Sequence, residues 1–194
     1  MAFGGMGHQN WTREQERDGA YKIHYVIQPS LNYNRNLIER AMKEIETYSR
    51  IEFVRRNRQR CYLTLTKDDG CYFTGTNNCM PRISLGMGCQ NFGTILHELM
   101  HAIGFPHEQN RPDRDSYLII HWNNIKDEHK PQFRRLKGSE YQWNNLPLDF
   151  ESIMMYDSYA FSRNGGITIE RKYGSIINRN ERLSNLDKQK LNMI

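Results

Sequence analysis

The segment His-Glu-Leu-Met-His-Ala-Ile-Gly-Phe-Pro-His, residues 97–107, constrains this chain more than any other part of its sequence. His97 and His101 are four residues apart, so on a helix they share one face and can bind the same ion. Gly104 can end that helix, because glycine adopts the left-handed dihedrals of a C-terminal cap, and the turn then brings His107 back to the ion. Three imidazoles and a water form an open, catalytic zinc site, whereas structural zinc sites usually have four protein ligands.

Glu98 follows the first histidine and leans toward the place of a zinc-bound water, where a carboxylate can act as general base. The rest of the segment is apolar, which predicts a buried helix with one narrow polar stripe. Asn91 or Thr94 could cap its start. The alternative is an amphipathic helix with solvated or core-satisfied histidines. That alternative suits one histidine, but three at ligand spacing favour a metal site.

Length and composition indicate one globular domain. The chain has 194 residues, of which 38% are hydrophobic and 25% charged, which is enough for a sizeable core beneath a polar surface. No apolar run approaches the ~18 residues that would span a bilayer. The first ten residues lack an apolar signal core, so we expect either a cytosolic chain or a form without its targeting segment. We also expect a monomer.

The net charge of +5 is concentrated in two basic runs, residues 55–60 and 134–137. A solvated surface is the simpler interpretation of these runs. The alternative is binding to an anionic extracellular surface or glycan, or to an acidic substrate. Aromatic residues are not interleaved with the basic ones as a stacking platform, which argues against nucleic acid.

The four cysteines lie within one short span, at positions 61, 71, 79 and 89. Their spacing is not the Cys-x-x-Cys of a zinc ribbon. An even number in a loop-rich region predicts two disulfides and an oxidising compartment. Spacing alone leaves all three pairings open. The alternative is four free thiols in an intracellular protein.

The order of elements predicts an α+β fold with two lobes around a cleft. Residues 20–104 predict an N-terminal lobe with a mixed, twisted sheet and two long helices; the expected strands are 21–27, 51–54, 61–66 and 83–85, and the first helix is 34–49. Residues 105–194 predict a largely irregular C-terminal lobe, with a short helix at 125–136 that Pro131 interrupts and a closing helix at 184–193. Residues 1–19 predict a loosely held N-terminal arm.

Two signatures resemble the astacin family of metzincin zinc endopeptidases. The first is the 97–107 motif followed by Glu108 and Gln109-Asn-Arg-Pro-Asp-Arg-Asp115. The second is Ser152-Ile-Met-Met-Tyr156, which is similar to the Met-turn of that family, with Met155 where histidine is usual. Residues 160–165 and 183–187 also match. The resemblance covers residues 20–194 and implies a single catalytic domain of the metzincin fold.

The resemblance implies a role for each matching residue. His97, His101 and His107 would bind one zinc ion per chain, with Glu98 as general base. Met154 would pack beneath the metal; an ordinary core methionine is compatible with that role. Tyr156 would be a further zinc ligand that swings away to hydrogen-bond the oxyanion, the alternative being a buried tyrosine with a satisfied hydroxyl. The strand Ile83-Ser84-Leu85 would be the edge strand that pairs with extended substrate.

The resemblance also implies the disulfides. Cys71 and Cys89 match one disulfide of the family, which leaves Cys61 with Cys79. Arg50 stands where the family usually has a further cysteine. The mature N-terminus of the family lies near the glutamate that matches Glu108; because an extension precedes it here, we expect other donors to satisfy Glu108.

The implied function is that of a secreted zinc endopeptidase acting on protein or peptide substrates. One rival hypothesis is a zinc-binding but inactive domain that recognises a surface or partner, against which the intact Glu98 argues. The other is an intracellular peptidase with free cysteines.

Overall fold

A computed structural model describes residues 14–15, 19–75, 79–143 and 145–194, which form two compact units. The first, here called the sheet unit, contains the described residues up to Phe105 together with Asp187–Ile194. The second unit is Pro106–Leu186. The expected N-terminal arm, residues 1–19, lies outside the described residues except for positions 14, 15 and 19.

The sheet unit has a mixed sheet and two long helices, so the expected mixed α+β class is confirmed. The strands are β1 Glu14–Gln15, β2 Tyr21–Ile27, β3 Ile51–Arg55, β4 Leu63–Thr66, β5 Cys71–Thr74 and β6 Arg82–Leu85, and the helices are α1 Arg35–Thr47 and α2 Phe92–Ala102. Strand β2 pairs in parallel with β3 and β4, and β4 pairs in parallel with β6. Strands β1 and β5 run antiparallel to their neighbours β2 and β6.

The core of the sheet unit explains why these segments pack as they do. Helix α1 buries Ile38, Ala41, Met42 and Ile45, which recur at the spacing of one helical face, and it packs against α2 and β3. The central strands bury their apolar residues completely; Ile23, Leu63, Leu65, Ile83 and Leu85 are all 0% exposed. Helix α2, which carries His97 and His101, packs against α1, β5 and β6 of this core.

The expectation that Ile83-Ser84-Leu85 forms the edge of the sheet is wrong. In β6, Ile83 pairs with Leu65 of β4 on one side and with Phe73 of β5 on the other. The edge is instead β5, Cys71–Thr74, whose residues are exposed or half-buried. Along the chain β5 follows β4, but in the sheet β6 lies between these two strands, so β5 is the outermost strand on this side. A short apolar run does not reveal this, because pairing between distant segments decides which strand is outermost.

All four cysteines form disulfides, Cys61–Cys79 and Cys71–Cys89, which is the pairing that the resemblance implied. Each links residues 18 positions apart. Cys71 begins the edge strand β5, and Cys89 is buried just before α2. The second disulfide therefore ties the edge strand to the start of the metal-binding helix.

Removing that tie is expected to destabilise the protein. We expect the double variant Cys71→Ser, Cys89→Ser to lose about 3 kcal/mol of unfolding free energy, because the unfolded chain regains the freedom of a closed loop. Denaturant unfolding followed by circular dichroism measures this loss. The matched variant is Cys61→Ser, Cys79→Ser, which opens a loop of the same length. An unfolding midpoint equal to that of the parent would contradict the expectation.

The second unit has little regular structure, as the sequence predicts. It contains a small antiparallel sheet and several short 3-10 helices. Their bounds are β7 Leu118–Ile120, β8 Ile169–Arg171, and 3-10 turns at Glu108–Asn110, Arg114–Ser116, Trp122–Asn124, Asp127–Phe133 and Gly138–Glu140. The helix expected at 125–136 is the 3-10 segment Asp127–Phe133, which contains Pro131. The missing amide hydrogen of proline explains why a longer α-helix does not form.

Two buried arginines satisfy backbone carbonyls in this irregular unit. Arg114 Nη1 donates to the carbonyl oxygens of Gln109 and Phe133 at 2.9 and 2.6 Å. Arg111 donates to those of Leu146 and Pro147 at 2.6 and 3.0 Å. Buried carbonyls without such partners are costly, so these side chains take the place of regular secondary structure.

The closing helix α3 is Asn185–Leu191, and its residues from Asp187 onward belong to the sheet unit. Lys188 Nζ lies 4.8 Å from the centroid of the Tyr48 ring. Arg50, at the position of the family cysteine, donates from Nε to the Ile194 carbonyl oxygen at 3.3 Å. None of the helices in the described part of the chain is long and apolar enough to cross a bilayer.

Candidate metal centre

Helix α2 has defined caps at both ends. Asn91 is the N-cap, since its Oδ1 accepts a hydrogen bond from the Thr94 amide at 2.9 Å. After the helix, Gly104 has a φ of 107°, and the amides of Gly104 and Phe105 donate to the carbonyls of His101 and Met100, both at 3.0 Å. This pair of hydrogen bonds is a Schellman motif. It turns the chain within a few residues of His101, as the glycine at position 104 predicts.

The turn brings three histidines together. The ligand atoms of His97, His101 and His107 all lie within 4.8 Å of one another, a grouping that could hold a metal ion. The rings of His97 and His101, one helical turn apart, have centroids 4.7 Å apart and are nearly perpendicular. His101 and His107 are buried, while His97 is half-buried. The arrangement agrees with the spacing argument made from the sequence.

His101 is held in the form that binds metals. Its Nδ1 lies 2.8 Å from the Phe105 carbonyl oxygen, and since a carbonyl only accepts, we assign the proton to Nδ1 and the lone pair to Nε2. Burial lowers the pKa of His101 well below its usual value, and the neighbouring His97 lowers it further. The imidazole is therefore neutral at neutral pH, as metal coordination requires.

Glu98 is a carboxyl group in an apolar setting beside the first ligand. It is 5% exposed, and its Oε2 has no hydrogen-bond partner among the described residues. Burial raises its pKa to about 8. A buried carboxylate needs a cation, a water or a proton. Three imidazoles beside a carboxyl oxygen that has no partner among the described residues therefore fit a divalent ion with a water, and the donor set suits zinc.

Met154 and Tyr156 lie on a hydrogen-bonded turn against the segment that follows the third histidine. Ser152 Oγ accepts from the Met154 amide at 3.0 Å, and the Met154 carbonyl accepts from the Glu108 amide at 2.9 Å. Met154 is 1% exposed. The Tyr156 ring centroid lies 4.4 Å from that of His107. The structure therefore brings Tyr156 next to a candidate ligand, and the roles of both residues remain predictions.

Buried polar residues that the sequence did not point to connect the ligand segment with this turn. Glu108, 1% exposed, accepts from Arg111 Nη1 at 3.2 Å, from the Tyr141 hydroxyl at 3.1 Å and from the Asp149 amide at 3.0 Å. Three donors therefore contact Glu108, while the start of the N-terminal arm, which the expectation concerned, lies outside the described residues. Gln109 Oε1 accepts from the Tyr156 amide at 3.3 Å. Arg111 lies three residues from Glu108, within the motif that the sequence contains, whereas Tyr141, Asp149 and Tyr156 lie 33 to 47 residues from the side chains that they contact.

Arg111, Tyr141 and Glu108 form a buried network in which the Glu108 charge favours the protonated forms of its two neighbours. Burial opposes the charge on Arg111, but its hydrogen bonds to Asp113 and the nearby Tyr141 and Glu108 outweigh that effect and raise the pKa of Arg111. Burial and the Glu108 charge raise the pKa of Tyr141. The tyrosine hydroxyl therefore stays protonated and donates to Glu108.

Comparison with known proteins agrees with the fold and with this site. The family model Astacin, which describes a peptidase family, matches residues 10–194. The chain is 45% identical over 148 residues to astacin-like metalloprotease toxin 5 of Loxosceles gaucho, covering 73% of this chain and 77% of that one. It is 38% identical over 168 residues to zinc metalloproteinase nas-4 of Caenorhabditis elegans, covering 84% of this chain and 53% of that protein. The chain therefore belongs to the astacin family of metalloproteases.

A solved structure has the same fold. High choriolytic enzyme 1, a hatching enzyme zinc-protease from the medaka fish Oryzias latipes, matches with a TM-score of 0.87 and 32% identity, over 97% of both chains. The metzincin fold expected from the resemblance is thus confirmed. The chain spans about half or less of the length of several curated relatives, for example 53% of nas-4 and 45% of the astacin-like metalloendopeptidase of Gallus gallus.

Proposed function

We propose that this chain is an active, secreted zinc endopeptidase that cleaves extended protein or peptide substrates, with residues 20–194 as a single, monomeric catalytic domain. The observation that carries the proposal is the grouping of His97, His101 and His107 next to the buried carboxyl of Glu98. Family membership supports zinc-dependent proteolysis in general. Two disulfides support an oxidising, extracellular location.

Each residue has a defined task in this proposal. His97, His101 and His107 would hold a zinc ion, which would supply Lewis-acid polarisation of the peptide carbonyl and lower the pKa of the attacking water. Glu98 accepts the proton of that water and passes it to the leaving amine, as a positioned carboxylate beside the first ligand can do. The Tyr156 hydroxyl donates a hydrogen bond to the oxyanion. The buried side chain of Met154 would pack beneath the three histidines and provide an apolar surface there.

The edge strand β5, Cys71–Thr74, is the strand that we propose to pair with the substrate, in place of Ile83-Ser84-Leu85. An extended peptide adds to a free sheet edge through backbone hydrogen bonds, and alternate side chains then face opposite sides. In the sheet unit, β5 is outermost and packs against the metal-binding helix α2. A peptide paired with β5 would therefore run past that helix.

The rival hypothesis of an inactive, zinc-binding recognition domain leaves Glu98 unexplained. Binding a metal for recognition does not require a buried carboxyl beside the ligands with one oxygen that has no hydrogen-bond partner among the described residues, and such a group is costly. The rival of an intracellular peptidase with free thiols fits poorly with four paired cysteines.

Cleavage of a peptide library by the purified protein, read by mass spectrometry, tests the proposal. We expect internal cleavage that a chelator abolishes and added zinc restores. His101→Ala should lower the bound zinc itself, because a ligand is lost. Zinc bound at one ion per chain with no cleavage of any peptide would favour the recognition domain instead.

Tyr156→Phe removes the hydroxyl and keeps the ring that contacts His107. We expect kcat to fall about a hundredfold with KM changed less than about threefold, as for a hydrogen bond made chiefly in the transition state. Steady-state kinetics on one fluorogenic peptide separates the two constants. Tyr173→Phe is the matched control, since Tyr173 is 98% exposed. An effect confined to KM would contradict the oxyanion role.

We also propose that the loop after β3 binds an anionic extracellular glycan. Arg56, Arg58 and Arg60 are exposed there and form no ion pair with a carboxylate of the described residues. Two contacts hold this loop: Arg56 Nε donates to the Gln59 carbonyl at 2.8 Å, and the Arg56 guanidinium lies 4.0 Å from the Tyr62 ring centroid. Guanidinium groups bind sulfate oxygens in a planar, bidentate manner, which favours a sulfated glycan.

Heparin-affinity chromatography in a salt gradient tests the glycan proposal. We expect Arg58→Ser, Arg60→Ser to weaken binding about thirtyfold, at about 1 kcal/mol for each arginine near an anionic surface. The matched control is Arg134→Ser, Arg135→Ser, because those arginines already pair with Glu140 and Asp115. Equal elution of the first variant and the parent would overturn the proposal, as would binding to anionic lipid vesicles alone.

A further inference from the structure

Phe161 is an exposed aromatic residue with a strained backbone conformation. Phe161 has a φ of 57°, the left-handed region, and within the described ranges it is the one non-glycine residue with a positive φ. Bulky side chains rarely adopt this conformation. Surrounding hydrogen bonds impose it: the Phe161 carbonyl accepts from the Lys126 amide at 3.1 Å, and the next residue, Ser162, donates from Oγ to the Gly166 carbonyl at 2.7 Å. Strain that the structure maintains in this way is found mainly at functional sites.

The strained residue belongs to a row of aromatic rings that begins at the candidate metal centre. The ring centroids of His107 and Tyr156 are 4.4 Å apart, those of Tyr156 and Phe161 are 5.4 Å apart, and those of Phe161 and His129 are 4.2 Å apart. Phe133, 0% exposed, lies beneath, with its centroid 5.8 Å from Tyr156 and 6.3 Å from Phe161. We call Tyr156, Phe161 and His129 the aromatic shelf.

The outer part of the shelf is accessible. Phe161 is 36% exposed, and His129 and Tyr156 are half-buried. A phenylalanine whose only task was to fill the core would be covered like Phe133 beneath it. The backbone strain at Phe161 therefore serves to present an aromatic face to solvent, continuous with the ring that contacts a metal ligand.

We propose that the aromatic shelf is a substrate subsite that selects a large apolar or aromatic side chain close to the scissile bond. The inference rests on the proposed endopeptidase function. The rings of His107 and Phe161 are at most about 10 Å apart, and an extended peptide advances about 3.3 Å per residue. The selected residue therefore lies within about three positions of the bond that is cut. Offset and edge-to-face packing on such rings favours Phe, Tyr, Trp or Leu over small or acidic residues.

Within this shelf Phe161 determines specificity and takes no part in proton transfer. His129 stacks on Phe161 at an interplanar angle of 35° and supports its orientation from one side. A hydrophobic subsite of this kind discriminates by roughly tenfold to a few hundredfold in kcat/KM. Phe161 therefore predicts a preference at one substrate position, while the chemistry belongs to Glu98 and to the hydroxyl of Tyr156.

The test compares peptides that differ only in having Phe or Ala at each of the three positions on either side of a fixed cleavage site. We expect one position at which the Phe peptide exceeds the Ala peptide at least tenfold in kcat/KM. Phe161→Gly, which accepts the positive φ, should reduce that ratio to below about threefold. Phe161→Leu should retain most of the preference. Tyr159→Ala, which removes an exposed ring from the same loop, should leave the ratio unchanged.

A binding measurement separates this inference from the proposed function. The same peptides, labelled with a fluorophore, are titrated into Glu98→Gln protein with and without Phe161→Gly and followed by anisotropy. We expect tighter binding of the Phe peptide that depends on Phe161. A binding preference together with no cleavage by the protein that retains Glu98 would refute the endopeptidase proposal and sustain the subsite. Equal ratios in Phe161→Gly and parent, in either assay, would overturn the subsite.

Discussion

Glu98→Gln is expected to lower kcat by about a thousandfold while the protein keeps one zinc ion per chain. The amide has the size of the carboxyl but cannot accept the proton of the attacking water, and a positioned base contributes about 10²- to 10⁴-fold. Glu98 Oε2 has no hydrogen-bond partner among the described residues, so an amide nitrogen at that position replaces no acceptor of a hydrogen bond there. Single-turnover kinetics together with metal analysis separates loss of chemistry from loss of zinc.

The controls for Glu98 follow from its surroundings. Glu52→Gln removes an exposed carboxylate on a strand of the same unit and should leave kcat within twofold. Glu98→Gln should also be at least as stable as the parent, because a neutral amide avoids the desolvation penalty of a buried charge. Near-parental turnover in Glu98→Gln would show that some other group accepts the proton.

Arg111→Met is expected to destabilise the protein by about 3–5 kcal/mol, since it removes the positive charge of Arg111 from the buried Glu108 carboxylate. The two side chains are 0% and 1% exposed and 3.2 Å apart. The change also removes the donors to the Leu146 and Pro147 carbonyls. For a chain of this length, we expect a fall in Tm of about 10 °C or more, measured by calorimetry.

A matched pair of variants isolates the buried charge. Arg55→Met breaks the exposed ion pair of Arg55 with Glu39, at 2.7 Å and with side chains 66% and 30% exposed, and should cost less than about 1 kcal/mol. Adding Glu108→Gln to Arg111→Met should recover part of the lost unfolding free energy, because the buried carboxylate that lost the Arg111 charge is then replaced by a neutral amide. The single variant Glu108→Gln completes the comparison. If the destabilisation of the double variant equals the sum of the two single destabilisations, the two residues do not act as a pair.

The metal-binding motif could be predicted from sequence because its geometry is local. Spacing on one helix brings His97 and His101 together, and a single glycine ends that helix, so the ligand set does not depend on how distant segments pair. The structure adds Asn91 as the cap and the Schellman turn that returns His107. The disulfide pairing was open from spacing, and only the family resemblance chose among the three alternatives.

Only the tertiary structure decided which strand is the edge of the sheet, which donors satisfy Glu108, and that Phe161 is strained beside Tyr156. Each of these depends on contacts between residues far apart in the chain: β4 with β6, Glu108 with Asp149, Phe161 with His129. Sequence periodicity reports the local preference of a segment for helix or strand. It does not report the partner of a strand or a buried charge, because that choice is made by the packing of the whole chain.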